Sequence, residues 1–214
     1  MAVPPDNWIK APSTNSSDHI GEGVIIDIGT GDGRFVYQCA RENPNKFYIG
    51  IEPNVRPLEK ISEKIHRKPA KGGAPNVIFI KAAIEDLPAE LNSVADEIHI
   101  HFPWGSLLKA IATGDESVLR ALHRIGTPGC LLEVVIGIDA NRDRAEIERL
   151  KLRPISLAHV EAVLAPQYEA AGFRVIENGV VSAADWSRLH TSWARRLKMN
   201  DRREVVYFVA EARK

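Results

Sequence analysis

One junction near the start of the chain limits its fold more than any other feature. An apolar run at 24–28, VIIDI, passes directly into Gly29-Thr30-Gly31-Asp32-Gly33, and an amphipathic stretch opens at Arg34. Glycines at that spacing let the backbone turn sharply and approach a ligand at the carboxyl end of a strand. A buried strand leading straight into a helix is the start of a crossover unit, and the pattern repeats. Strands are expected at 24–28, 47–51, 77–81, 97–102, 130–138, 173–177 and 204–210. Helices are expected at 34–42, 55–66, 106–112, 116–125, 157–171 and 183–198. Such alternation predicts an α/β fold with a mainly parallel sheet.

Composition removes several classes. The 214 residues are 44% hydrophobic, and no run approaches the roughly 20 apolar residues of a membrane span. Residues 1–23 are rich in Pro, Ser, Asn and Asp, with Trp8 and Ile9 as anchors. They are expected to form an arm or loop, and they lack the charged-then-apolar pattern of a secretory signal. Cys39 and Cys130 make neither a disulfide framework nor a metal cluster, so a reducing cytoplasm is expected and no metal. Lys plus Arg number 28 against 28 Asp plus Glu. A neutral chain does not coat nucleic acid over its whole surface, although a local basic patch remains open to it.

The glycine turn gains meaning from its surroundings. Glu52 closes the second strand 19 residues after Gly33, where a carboxylate can accept both hydroxyls of a ribose. The spacing is GxGxG rather than GxGxxG, and an acid, Asp27, precedes the first glycine. On these residues alone, another nucleotide or a purely structural turn stays open. The pattern resembles the class I S-adenosylmethionine-dependent methyltransferases. The resemblance implies a Rossmann-like, doubly wound sheet of seven strands, mainly parallel with an antiparallel C-terminal strand. It implies S-adenosyl-L-methionine as cofactor, held by Asp27, Gly29, Thr30, Gly31, Glu52 and Pro53. After the third strand, Ile84 and Glu85 match the segment that lines the adenine, while Asp86 fits an acidic helix cap equally well.

The substrate end is marked by aromatic and basic residues. The fourth strand ends in His101-Phe102-Pro103-Trp104-Gly105. An exposed indole there offers a ring face to a flat substrate, worth ~1–3 kcal/mol per stacked base, although capping the core is an alternative role. Residues 56–71 carry six Lys/Arg against two Glu, and 188–203 carry six against one Asp around Trp193. Two such runs with an interleaved aromatic fit RNA binding, whereas one alone is usually a solvated helix face.

The segments DIGTGDGR, FYIGIEPN, KPAKGGAPNVIF, FPWGSLL and TSWARRL, between about Val24 and Arg203, closely resemble the aminoglycoside-resistance 16S rRNA adenine-N1 methyltransferases. That family modifies a decoding-site adenosine of the 30S subunit and protects it from kanamycin- and apramycin-type drugs. The resemblance implies that Trp104 and Trp193 sandwich a flipped adenine as the catalytic pair. It places Ser106 and Thr191, and the tip residue His101, at the cofactor. It assigns Lys64, Arg67, Lys68 and Lys71 to a basic RNA-docking linker, and Arg195, Arg196 and Arg203 to a C-terminal basic run. Residues 24–214 would then form one methyltransferase domain, monomeric, with RNA-docking insertions near 56–76, 139–156 and 183–203. Departures exist. Glu63 and Asp201 stand where basic residues are common, and His101 replaces an apolar residue, so a structural histidine is also open there. Arg149, Lys151 and Arg153 reach RNA only by position. Another RNA methyltransferase, such as one for tRNA guanine-N7, or a small-molecule methyltransferase are the alternatives.

Overall fold

A computed structural model describes residues 23–181 and 204–213. Seven strands form one sheet: β1 (Val24–Ile28), β2 (Phe47–Ile51), β3 (Val77–Ile80), β4 (Ala95–His101), β5 (Gly126–Ile136), β6 (Phe173–Val180) and β7 (Val206–Ala212). Their order is β3-β2-β1-β4-β5-β7-β6. The neighbours from β3 to β5 pair in parallel, while β7 pairs antiparallel with both β5 and β6. Only β7 therefore runs against the rest. The chain order reverses between β1 and β4, which opens a crevice beyond their carboxyl ends.

Helices cover both faces. On one side lie α1 (Arg34–Glu42) and α2 (Glu59–Ile65). Phe35, Val36, Cys39 and Ala40 of α1 pack there with Ile25, Tyr48, Ile65 and Val77. The larger core lies on the opposite face, where Ile26, Ile28, Ile98, Ile100, Leu132 and Val134 meet α3 (Gly105–Thr113) and α4 (Glu116–Ile125). A longer helix completes that layer, from α6 (Leu157–His159) through a π-helical stretch, Val160–Leu164, into α7 (Ala165–Ala170). Asp115 caps α4 by accepting from the amides of Ser117 and Val118, which satisfies two of its four free N–H groups. These two layers fix the sheet, so the loops at its carboxyl edge are held in place.

Several element ends shift by two or three residues, as in β4, β6 and β7, and three regions differ further from the sequence expectation. Residues 55–66 begin as a 3-10 turn, Arg56–Leu58, before α2, because Pro57 sits at a helix start. β5 begins at Gly126 rather than 130, since Thr127 Oγ1 donates to the Ala95 carbonyl across an irregular β4–β5 register. The 139–156 segment, for which no helix or strand was expected, contains a helix, α5 (Arg144–Leu150), that packs against α3. The expected helix at 183–198 and the arm at 1–22 lie outside the described residues.

Candidate cofactor and substrate site

The glycine turn is built as a cradle. The amides of Gly29 and Thr30 both donate to the Ile51 carbonyl, at 2.8 and 3.1 Å, which ties the turn to the end of β2. Gly29 and Gly33 have φ of 76° and 70°, in the left-handed region that glycine enters without strain. A Cβ on Gly33 would meet Phe79 at 2.7 Å and one on Gly29 would meet Leu107 at 2.8 Å. Glu52 locks the same turn from below. Its Oε2 accepts from the Gly31 amide and its Oε1 from the Asn54 amide, both at 3.0 Å. Each oxygen keeps a lone pair, which leaves the carboxylate able to accept from two neighbouring hydroxyls.

Above this turn opens a cavity of about 260 Å³. It is lined by Asp27, Gly29, Thr30, Gly31, Glu52 and Pro53 from β1 and β2, and by His101, Trp104 and Ser106 from the end of β4. Sequence reasoning named all nine. Asp32, Phe35, Phe102, Pro103 and Leu107 also line the cavity and were not among the site residues named from sequence. Ile84 is buried in the core, and Glu85 is exposed on the 3-10 turn Ile84–Asp86 after β3; neither lines the cavity. Thr191 lies outside the described residues.

The turn carrying Trp104 is held tightly. Phe102 adopts φ 50°, a conformation uncommon for a bulky residue, and its amide donates to the Val135 carbonyl at 2.7 Å. Trp104 is 45% exposed at the rim of the cavity. A capped core indole would be covered, whereas Trp104 stays partly open to solvent at the rim. Behind it, Glu146 of α5 is held below the usual carboxylate range by the Arg149 guanidinium and, more weakly, by the Gly105 amide. The segment around α5 thus braces the start of α3, and its Arg149 is engaged in a two-pronged ion pair with Glu146 at 2.7 Å.

Under the cavity lies a polar row. His101 is 8% exposed, and its Nε2 lies 2.5 Å from Glu133 Oε1, so it is both a cavity-lining and a structurally engaged histidine. Burial raises the Asp27 carboxyl above the ordinary range, with His101 pulling the other way.

The basic loop is ordered against α1. Tyr37 Oη donates to the Gly72 carbonyl at 2.8 Å, and Arg41 donates to the carbonyls of Pro69 and Gly73. Arg67, Lys68 and Lys71 are exposed, while Lys64 lies 4.4 Å over the Tyr37 ring. The loop enters the start of β3, whereas the cavity lies beyond the far ends of β1, β2 and β4. With about 3.3 Å per strand residue, the two features are separated by on the order of one strand length, ~15 Å. Trp193, Arg195, Arg196 and Arg203 lie outside the described residues, so their relation to the cavity is not part of this geometry.

The sequence profile of the NpmA family, described as 16S rRNA (adenine(1408)-N(1))-methyltransferase, matches residues 10–212. A 16S rRNA (adenine(1408)-N(1))-methyltransferase of Escherichia coli is 38% identical over 184 residues, covering 84% of this chain and 83% of that protein. Among solved structures, the aminoglycoside resistance methyltransferase NpmB1 superimposes with a TM-score of 0.79 at 44% identity, covering 90% of this chain and 88% of its own. A variant of the 16S rRNA (adenine(1408)-N(1))-methyltransferase from Catenulisporales acidiphilia, solved with its cosubstrate SAM, gives 0.83 at 33% identity, covering 91% and 88%.

Proposed function

The chain belongs to the family of 16S rRNA (adenine(1408)-N(1))-methyltransferases, and we propose that it transfers a methyl group from S-adenosyl-L-methionine to N1 of one decoding-site adenosine. Its substrate is the 16S rRNA of the assembled 30S subunit, met by a cytoplasmic monomer. The product protects the ribosome from kanamycin- and apramycin-type aminoglycosides. No helix among the described residues is long and apolar enough to cross a membrane. The observation that carries the reading is one continuous cavity with the Glu52 carboxylate and glycine turn at one end and an exposed Trp104 at the other.

The residues present fit the cofactor. Glu52 has lone pairs for the ribose hydroxyls, the side-chain-free backbone of Gly29 and Gly31 admits close approach, and the acids Asp27 and Glu52 suit a ligand bearing cationic groups. Bound there, S-adenosylmethionine supplies an electrophilic methyl group on a sulfonium. The base has to leave its helix to present N1, at a cost of a few kcal/mol. Trp104 supplies one stacking face at the rim, and Trp193, matched by resemblance, supplies the other. Neutral adenine already carries a lone pair on N1, so this chain needs no general base; its task is in-line positioning. The indole faces also favour the positive charge that develops on the methylated ring. The ring of Ser106, Pro103 and Phe102 holds the rim in shape.

Docking falls to the basic loop. Arg67, Lys68 and Lys71 project from the opposite end of the strands, so they grip phosphates remote from the flipped base and fix register rather than read sequence. Lys64, held over Tyr37, supports that surface. Arg195, Arg196 and Arg203 extend it by resemblance, with Arg203 nearest the flipped base. Cells expressing the chain should grow in both kanamycin and apramycin, and Trp104→Ala or Trp193→Ala should abolish that growth. Full protection by both variants would contradict the stacking role.

A further inference from the structure

The central strands of a parallel sheet, covered on both faces, are ordinarily rows of Val, Ile and Leu. One face of this sheet obeys that rule, and the other does not. Asp27 of β1 stands opposite His99 of β4, which stands opposite Glu133 of β5. Glu97 and His101 flank His99 on the same face of β4, because side chains alternate along a strand. Five ionisable groups thus share one patch beneath the cofactor cavity, closed on one side by Phe35 of α1, whose ring lies 5.5 Å from His99 and 4.7 Å from His101.

We propose that His99, His101 and Glu133 bind one divalent transition-metal ion of the Zn²⁺, Co²⁺ or Ni²⁺ class. One nitrogen from each imidazole and one carboxylate oxygen already lie within 4.8 Å of one another. Ligands at about 2.0–2.1 Å from a tetrahedral ion stand about 3.3 Å apart, a contraction within reach of side-chain rotation. Two imidazoles from a His-x-His strand and a carboxylate from its neighbour form a facial set of nitrogen and oxygen donors with positions left open. Two nitrogens disfavour Mg²⁺ and Ca²⁺, which prefer oxygen alone.

Three further observations point to a cation rather than to hydrogen bonds alone. Hydrogen bonding leaves His99 Nδ1 and His101 Nδ1 buried with no partner among the described residues. The outer shell is in place: Glu97 Oε2 lies 3.3 Å from His99 Nε2, an acceptor that directs Nδ1 inward, and Lys46 holds Glu97 at 3.0 Å. Charge agrees as well. Among the described residues Glu97 pairs with the Lys46 ammonium, and one divalent ion bound by neutral imidazoles offsets the carboxylates of Asp27 and Glu133. Entry is open through the cavity, whose wall includes His101.

The test uses the untagged full chain, stripped with a chelator and titrated with Co²⁺ alone. One equivalent should bind, with visible d–d bands and no thiolate charge-transfer band, and Zn²⁺ should displace it. Glu133→Gln and His99→Gln should each weaken Co²⁺ by tenfold or more, and Zn²⁺ should raise the melting temperature of the parent chain but not of His99→Gln. X-ray absorption on the Co²⁺-loaded parent, which needs no variant to fold, should show two imidazoles and no sulfur. Absence of stoichiometric binding, a sulfur ligand, or unchanged affinity in the folded variants would each overturn the site.

Discussion

At the scale of single residues, Glu52 and Trp104 carry opposite ends of the same cavity. Glu52 makes two charge-assisted hydrogen bonds to backbone amides and keeps capacity for the ribose. Glu52→Ala removes these, at roughly 1.5–3 kcal/mol for a bond to a charged group, so cofactor affinity should fall about 10- to 100-fold by calorimetry. Trp104→Ala removes one stacking face, worth ~1–3 kcal/mol, and should lower kcat/KM on 30S subunits about 5- to 150-fold. Cofactor affinity unchanged in Glu52→Ala would sink the ribose role. Cys39 makes a third case: burial first, and then the Glu42 charge, push its thiol up to about 12. Only the thiolate reacts, so iodoacetamide at pH 8 should leave Cys39 untouched in the folded chain and modify it in denaturant. Rapid labelling of the native protein would contradict that burial. Of the nine cavity residues named from sequence, Asp27, Gly29, Thr30, Gly31, Glu52 and Trp104 were legible through glycine spacing, acids at strand ends and the aromatic turn, whereas Pro53 and Ser106 came only from the family resemblance. His101 was legible only in part. Its partner Glu133 was invisible, because an isolated acid inside an apolar run gives no sign of which strand it will face.

At the scale of elements, the basic loop and the central strand β4 each make a prediction. A Cβ on Gly73 would sit 1.6 Å from the Arg67 carbonyl oxygen, so Gly73→Ala cannot keep the loop closed. Binding to 30S subunits should weaken by more than tenfold while cofactor affinity stays within about twofold, since the cavity lies at the other end of the strands. Equal losses of both would show that the two ends are not independent. On β4, burial alone would raise the Glu97 carboxyl, but the His99 hydrogen bond and the Lys46 ammonium outweigh it and lower it to about 2. A carboxyl depressed on folding contributes stability that is present above its ordinary value near 4.5 and is lost as pH falls towards 2. Glu97→Gln in metal-free protein should therefore destabilise at pH 7 and converge with the parent as pH approaches 2 in denaturant unfolding. A penalty independent of pH would point to packing instead. The elements most legible from sequence were those with strong periodicity and clear ends, such as α1 and α4. The start of β5 was hidden by Thr127-Pro128-Gly129, turn residues accommodated in the irregular β4–β5 register, and α5 lay in a segment whose apolar spacing was weak.

At the scale of the whole molecule, a net charge of zero conceals a division along the chain. Residues 56–71 and 188–203 together hold a surplus of nine positive charges, and the remainder holds nine negative. The first of these runs includes the ordered loop at the start of β3, the edge strand of the sheet, which is the surface proposed to meet RNA. Association with 30S subunits should weaken steeply with salt, and Lys68→Ala should reduce the slope of log K against log salt by about 1. An unchanged slope would remove Lys68 from the phosphate contacts. The α/β class and the mainly parallel sheet were legible because crossover connections leave few arrangements for alternating strands and helices. The polar row through Asp27, His99 and Glu133 was not, since it exists only once three distant segments are aligned in register. The central claim is that these parts act together on one adenine. Incubating purified 30S subunits with the chain and S-adenosylmethionine, then mapping reverse-transcription stops, tests it most directly, because a methyl on N1 blocks base pairing. The account predicts a single new stop at one decoding-site adenine. No stop, a stop at a guanine, or methyl transfer confined to tRNA would contradict it.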